Sequence, residues 1–177
     1  VILLIGDGMG PGQISLLQQF IKSSKIYKSD NGFDKISKLG HVGFSDTAPY
    51  GKLVVDSACS ATQLATGKPA LNEFIGLDHK GNPVPTVLEK AKERGLMTGL
   101  VSDTRLTHAT PASFAAHVHN RWEEDKIAME LVASNTDVLF SGGAHRFYPK
   151  GTQFNMKGFQ IKSKRSDDGN PIKIAQE

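Results

Sequence analysis

From Val54 to Thr66 the chain passes from an apolar pair, Val54-Val55, through Asp56 and Ser57 into a train of small residues beginning Ala58-Cys59-Ser60-Ala61-Thr62. Val54 and Val55 read as the end of a strand and the small residues as a closely packed helix, so Ser57 is expected at the turn between them. A serine at a helix start meets unpaired backbone N–H groups and the positive end of the helix dipole. That setting suits a phosphate or a developing alkoxide. An N-cap role for Asp56 or Ser57 accounts for the same residues, since both types cap helices commonly.

Val1 to Ile5 is a continuous apolar run, the pattern of a strand covered on both faces, and it leads into Gly6-Asp7-Gly8-Met9-Gly10-Pro11-Gly12. The sequence opens on this run without a methionine, and residues are expected ahead of it. An aspartate delivered at a strand's carboxyl end marks a site in open α/β sheets. The glycine spacing is not that of a dinucleotide-binding turn, and a carboxylate facing a pyrophosphate would repel it unless a metal intervened. Asp7 therefore suits a metal or a turn equally. A helix is expected from about Gln13 to Ile21, then a polar excursion to residue 40, a short strand from His41 to Phe44 and a turn-rich loop from Asp46 to Lys52. Gly67-Lys68-Pro69 lacks the earlier glycine and the following hydroxyl residue of a P-loop.

Thr86-Val87-Leu88-Glu89 is a capping box opening a helix with Val87, Leu88 and Ala91 on its apolar face and Gly95 as its stop. A strand from Leu96 to Val101 runs out toward His108, Thr110 and Pro111. Pro111 predicts a helix from about Ala112 to His119 with Thr110 as its cap. After a break at Asn120-Arg121-Trp122, a helix from Glu123 to Ala133 turns Ile127, Leu131 and Val132 inward, and a strand follows from Asp137 to Phe140. Strand and helix alternate as in an α/β protein whose central sheet is largely parallel and flanked by helices on both faces. Beyond Lys150 the composition turns to Gly, Lys, Ser and Asn with little period. Phe154, Phe159, Ile161 and Ile172 in that tail are expected to pack against elements further along a longer chain.

With 38% hydrophobic residues, a chain of 177 can bury a core of its own. The net charge of +3 arises from lysines scattered among acids, apart from a patch between Lys157 and Lys173 that lacks the interleaved aromatics of a nucleic-acid surface. No specific nucleic-acid partner is expected. No apolar run approaches the roughly 20 residues that cross a bilayer, so no membrane partner is expected either. Cys59 is the single cysteine, forms no intrachain disulfide and reads as a small packed residue.

Three strand ends thus supply Asp7, Ser57 and the pair His108 and Thr110, with Arg121 close behind. In a doubly wound sheet such ends converge on one rim. A serine hydroxyl is a weak nucleophile at neutral pH without a base or a metal. G-x-S-x-G is absent around Ser57, and no histidine spacing suggests a Ser-His-Asp arrangement. Asp7 can instead hold a divalent metal beside the serine, while Arg121 grips two phosphate oxygens as a planar fork and Asp56 holds Arg121 in position.

Three stretches carry a resemblance: Ile2-Leu3-Leu4-Ile5-Gly6-Asp7-Gly8-Met9-Gly10, Asp56-Ser57-Ala58-Cys59-Ser60-Ala61-Thr62, and His108-Ala109-Thr110-Pro111 followed by Arg121. In this order and at these separations they resemble the bacterial alkaline phosphatases over roughly residues 1 to 149. The resemblance implies hydrolysis of small phosphate monoesters through a phosphoserine at Ser57, with Arg121 clamping the phosphate and Asp56 behind it. It implies two Zn2+ and one Mg2+ per intact site, Asp7 bridging the magnesium and one zinc, Ser57 on a zinc and Thr110 on the magnesium. His108 stands where some members carry aspartate and is assigned a place behind the metal ligands. Cys59 replaces a commoner alanine. A homodimer and export to the periplasm or medium are implied too, with any signal peptide outside this chain. Residues 1–149 would form the amino-terminal part of the α/β catalytic domain and 150–177 a polar segment leading into a missing remainder. The glutamate, aspartate and histidine ligands that complete the metal sites have no counterpart after Lys150. These 177 residues alone are therefore expected to hydrolyse phosphate esters negligibly. Rival readings are a related phosphodiesterase or phosphomutase, or a non-catalytic phosphate- or metal-binding module; the C/S-x-P-x-R pattern of sulfatases is absent.

Overall fold

The computed structural model describes residues 1–24, 32, 35, 38, 40, 41 and 43–176, and the chain divides into two units, Val1–Asp46 and Thr47–Glu177. In the first unit, helix α1 (Pro11–Ser23) starts on a proline, whose missing N–H costs nothing there, and Gln13 Oε1 accepts the Gly10 N–H at 3.0 Å. None of its residues is buried, and Leu16 and Phe20 stand exposed. The strand expected over Val1 to Ile5 is not formed. These residues are exposed coil, because a strand exists through its ladder and none among the described residues reaches them. Of the strand expected from His41 to Phe44, His41, Gly43 and Phe44 are coil and Val42 lies outside the described residues, as does most of the excursion before it.

The second unit runs α2 (Ser57–Thr66), α3 (Val87–Glu93), β1 (Gly99–Arg105), α4 (Ala109–Ala112), α5 (Glu124–Ala133), β2 (Val138–Gly142), a 3-10 turn (Ala144–Arg146), a hairpin of β3 (Gln153–Met156) and β4 (Phe159–Lys162), and α6 (Pro171–Gln176). Strands β1 and β2 pair in parallel, Gly99 opposite Val138 and Val101 opposite Phe140, with an irregularity before Arg105. Between them the chain passes through α4 and α5. The core gathers Ala58, Ile75, Leu100, Phe114, Val118, Ile127 and Leu131.

Helix α3 is dictated locally. Thr86 Oγ1 accepts the Glu89 N–H and Glu89 Oε2 accepts the Thr86 N–H, completing the capping box, while the buried Thr86 hydroxyl donates to Phe114 O at 2.6 Å. Gly95, at φ +73°, ends it as a Schellman stop: Leu96 N–H reaches Ala91 O and Gly95 N–H reaches Lys92 O. Leu88 is buried, whereas Val87 is exposed.

Several boundaries differ from expectation. Strand β1 starts at Gly99 rather than Leu96 and runs on to Arg105, since Asp137 captures the Thr98 N–H at 2.8 Å and sets where pairing with β2 begins. The helix expected from Ala112 to His119 is instead Ala109–Ala112 with His108 as N-cap, so Thr110 is its second residue and not its cap. It stops because Val118 pairs antiparallel with Ile75, at 2.9 and 3.0 Å. Gly76 follows Ile75 at φ +62°, and a Cβ there would collide with the backbone oxygen of Ala116.

The tail beyond Lys150 is ordered within this unit. Arg165, its side chain fully buried, forks onto Asp167 at 2.8 Å through both Nε and Nη2 and donates through Nη1 to Arg146 O and Asp125 O. That tail thereby packs onto α5. Beside it, burial works against the charge of Glu124, but the Thr107 hydroxyl and the Arg105 and Arg146 guanidinium groups outweigh it and hold the carboxyl below its ordinary range.

Candidate active site

Helix α2 buries Ala58, Cys59, Ala61, Thr62 and Ala65, and side chains this small let α4 come close. Thr62 Oγ1 lies 3.2 Å from Ser113 Oγ, donates to Phe74 O and accepts the Gly76 N–H at 3.0 Å. The site forms at the amino end of this packed helix. Asp56 caps α2, its Oδ1 accepting the Cys59 N–H at 2.9 Å, while Oδ2 accepts the Glu73 N–H and an N–H of Arg121 Nη1, both at 3.1 Å. The cap role and the role as partner to Arg121 therefore coexist in one carboxylate.

Val54-Val55 is not a strand end. Asn72 takes over what a neighbouring strand would do, accepting the Asp56 N–H at 3.2 Å and donating to Val54 O at 3.0 Å, so the segment stays extended without a ladder. Ser57 is the first residue of α2, half-buried, and its Oγ makes no hydrogen bond among the described residues. Its hydroxyl therefore stands at the positive end of the helix.

Arg121 is largely buried and links three elements. Nη1 binds Asp56, Nη2 lies 3.3 Å from His108 Nε2, and the guanidinium carbon sits 5.3 Å from the Trp122 ring centroid. A guanidinium has only donors, so His108 Nε2 accepts and the ring proton belongs on Nδ1. The backbone N–H of Arg121 donates to Glu73 O at 2.9 Å. Two of its five side-chain N–H groups are used by Asp56 and His108, which leaves donors for an anion. Burial pushes the Cys59 thiol up, and its Sγ packs against Ala70 O and Gln63, so Cys59 is the inert packed residue its sequence suggests.

The structure thus brings together Asp56, Ser57, His108 and Arg121, with Thr110 two residues beyond His108 in α4. Asp7 lies at a turn in the first unit. Among the described residues, no three His, Cys, Asp or Glu side chains gather in a way that could hold a metal. A cleft of about 460 Å³ lined by Pro83, Pro85, Glu89 and His117 includes none of the site residues. Sequence reasoning missed Asn72 and Glu73. Nothing local marks them, since both act on Asp56 from 16 and 17 residues away.

Fold and site define a class: an α/β protein with a serine at a capped helix start, beside a guanidinium held by the cap. The particular family follows from comparison. The chain matches the family model for alkaline phosphatase over residues 1–177, and it belongs to that family. It is 40% identical over 165 residues to the repressible alkaline phosphatase of Saccharomyces cerevisiae, covering 89% of this chain and 28% of that protein. The alkaline phosphatase of the Antarctic bacterium TAB5 superposes with a TM-score of 0.78 at 30% identity, covering 96% of this chain and 43% of that one. A mutant of the same enzyme with Mg bound in its M3 site gives 0.78 at 28% identity, covering 96% and 42%. The chain spans less than half the length of these relatives. These structural neighbours bear out the α/β fold class, of which this chain displays a short parallel sheet with helices.

Proposed function

We propose that this chain carries the nucleophile and the phosphate clamp of a metal-dependent phosphomonoesterase. In the whole enzyme, Ser57 Oγ attacks the phosphorus of a small monoester in line, the bond from phosphorus to the alcohol oxygen breaks, and water later cleaves the phosphoserine to release phosphate. Arg121 binds two phosphate oxygens as a fork, and Asp56 and His108 keep that fork oriented. What supports the reading most is that Asp56 both caps α2 and pairs with Arg121 at 3.1 Å, which sets a guanidinium beside a serine that already faces the positive end of a helix.

The metals implied by the family are two Zn2+ and one Mg2+, with Asp7, Ser57 and Thr110 among their ligands and His108 behind them. Carboxylate and hydroxyl oxygens fit magnesium in kind, but zinc wants about four donors, and the described residues gather no such set. When bound, these ions would favour the ionised serine and screen the incoming dianion. Without the remaining ligands, the 177 residues alone hydrolyse phosphate esters negligibly. The whole enzyme is read as a homodimer, periplasmic or secreted. Among the described residues no helix is long and apolar enough to cross a membrane.

The test is acid quench of the intact, metal-loaded enzyme with radiolabelled phosphate. Label on Ser57, lost in Ser57→Ala, is expected; phosphate affinity without label would indicate the non-catalytic module instead. A related phosphodiesterase or phosphomutase would prefer a diester or transfer the group to a second hydroxyl. Arg121→Ala is expected to weaken inorganic phosphate by roughly 10- to 100-fold, the worth of hydrogen bonds to a charged group.

A further inference from the structure

Among the described residues, Glu73, Asn135 and Lys157 are the non-glycine residues at positive φ. Asn135 follows the end of α5, and Lys157 precedes Gly158 in the turn between β3 and β4, both ordinary places for a left-handed residue. Glu73, at φ +69°, is the third residue of a turn closed by the Phe74 N–H on Leu71 O at 3.3 Å, a position that suits glycine or asparagine. A glutamate gains nothing from this conformation by itself, so the turn and its other contacts hold it there.

Those contacts are with the phosphate site. The Glu73 N–H donates to Asp56 Oδ2 at 3.1 Å, the same oxygen that receives Arg121 Nη1, and the Glu73 carbonyl accepts the Arg121 backbone N–H at 2.9 Å. Its carboxylate Oε2 receives Asn120 Nδ2 at 3.3 Å, and Asn120 Oδ1 in turn accepts the Trp122 N–H at 2.9 Å. One residue thus fixes the carboxylate that orients the guanidinium and the backbone that carries it. We propose that Glu73 is a positioning residue of the phosphate clamp, its left-handed backbone setting the register between Asp56 and Arg121. Rotation to negative φ would turn its N–H and its carbonyl relative to each other, so that both contacts could not persist. The inference rests on the reading of Arg121 as phosphate clamp.

The experiment uses the intact, metal-loaded enzyme and measures inhibition by inorganic phosphate, kcat/KM for an aryl phosphate and the thermal midpoint. Glu73→Val, whose β-branch resists the left-handed region, is expected to weaken phosphate by on the order of tenfold through a misplaced guanidinium. Glu73→Gly, free to adopt this backbone, is expected to restore most of that loss. In an Arg121→Ala background Glu73→Val should cost no further phosphate affinity, the signature of two residues acting as one. Should Glu73→Val fail to fold, Glu73→Ala enters the same cycle. Unchanged phosphate affinity in Glu73→Val, or an equal loss with and without Arg121, overturns the proposal and leaves the clamp standing. An Arg121→Ala variant with undiminished phosphate affinity overturns both.

Discussion

Helices α1 and α2 both follow a segment bearing an aspartate, yet α1 buries none of its 13 residues and α2 buries five of its 10. The sequences suggest the opposite order, since α1 carries Leu16, Leu17 and Phe20 where α2 offers mostly alanine, serine and threonine. Small residues win because they admit neighbours. The hydroxyl of Ser113, just after α4, and the backbone of Phe74 and Gly76 reach α2 directly through hydrogen bonds with Thr62. Large side chains on α1 can contribute only through a partner surface, and among the described residues none of them is buried.

The contrast can be broken most severely at Gly76. Gly76→Ala should destabilise by roughly 3 kcal/mol, from a left-handed backbone together with a collision at Ala116 O, as read by urea unfolding. Thr62→Val, nearly the same shape, should cost about 1–3 kcal/mol, because it strands the buried N–H of Gly76. An exposed contact of the same unit should matter less. The Lys92 ammonium and the Thr98 N–H hold the Asp137 carboxyl down at about 2, so its contribution is complete above the ordinary carboxylate pKa and fades as pH falls from about 4 toward 2. Asp137→Asn should therefore lower the thermal midpoint at pH 7 and flatten its decline over that acid range. On α1, Leu16→Ala should stay within about 0.5 kcal/mol of the parent chain. A cost like that of a core deletion would show that α1 is covered in solution.

What was legible depended on how far each signal reached along the chain. The box at Thr86 and Glu89 and the stop at Gly95 lie inside one helix and were read residue by residue. The start of α2 at Ser57 was legible for the same reason, as was most of the inward face of α5, where Ile127 and Leu131 are fully buried and Val132 only partly. Strand readings failed wherever the partner was distant. Val1 to Ile5 and Val54-Val55 have strand composition, but the first meets no ladder among the described residues and the second is held by the side chain of Asn72. Thr110 looks like a cap because Pro111 follows it; the helix instead starts three residues earlier with His108 as its N-cap, and the pairing of Val118 with Ile75 lies beyond its end. In the tail, aromatic residues promised packing, but no local pattern announced that a buried Arg165 would fasten it to α5.

The sequence by itself determined the start and stop of α3, the start and small-residue face of α2, and the chemical kinds gathered for the site: an acid, a serine, a histidine and an arginine. These are written in neighbours a few residues apart, where capping and side-chain size act directly. The tertiary structure alone decided that Asp56 serves the helix and Arg121 together, and that Glu73 and Asn72 brace it. Those contacts close loops of 16 to 65 residues, and closure over that span is written in no pattern of near neighbours.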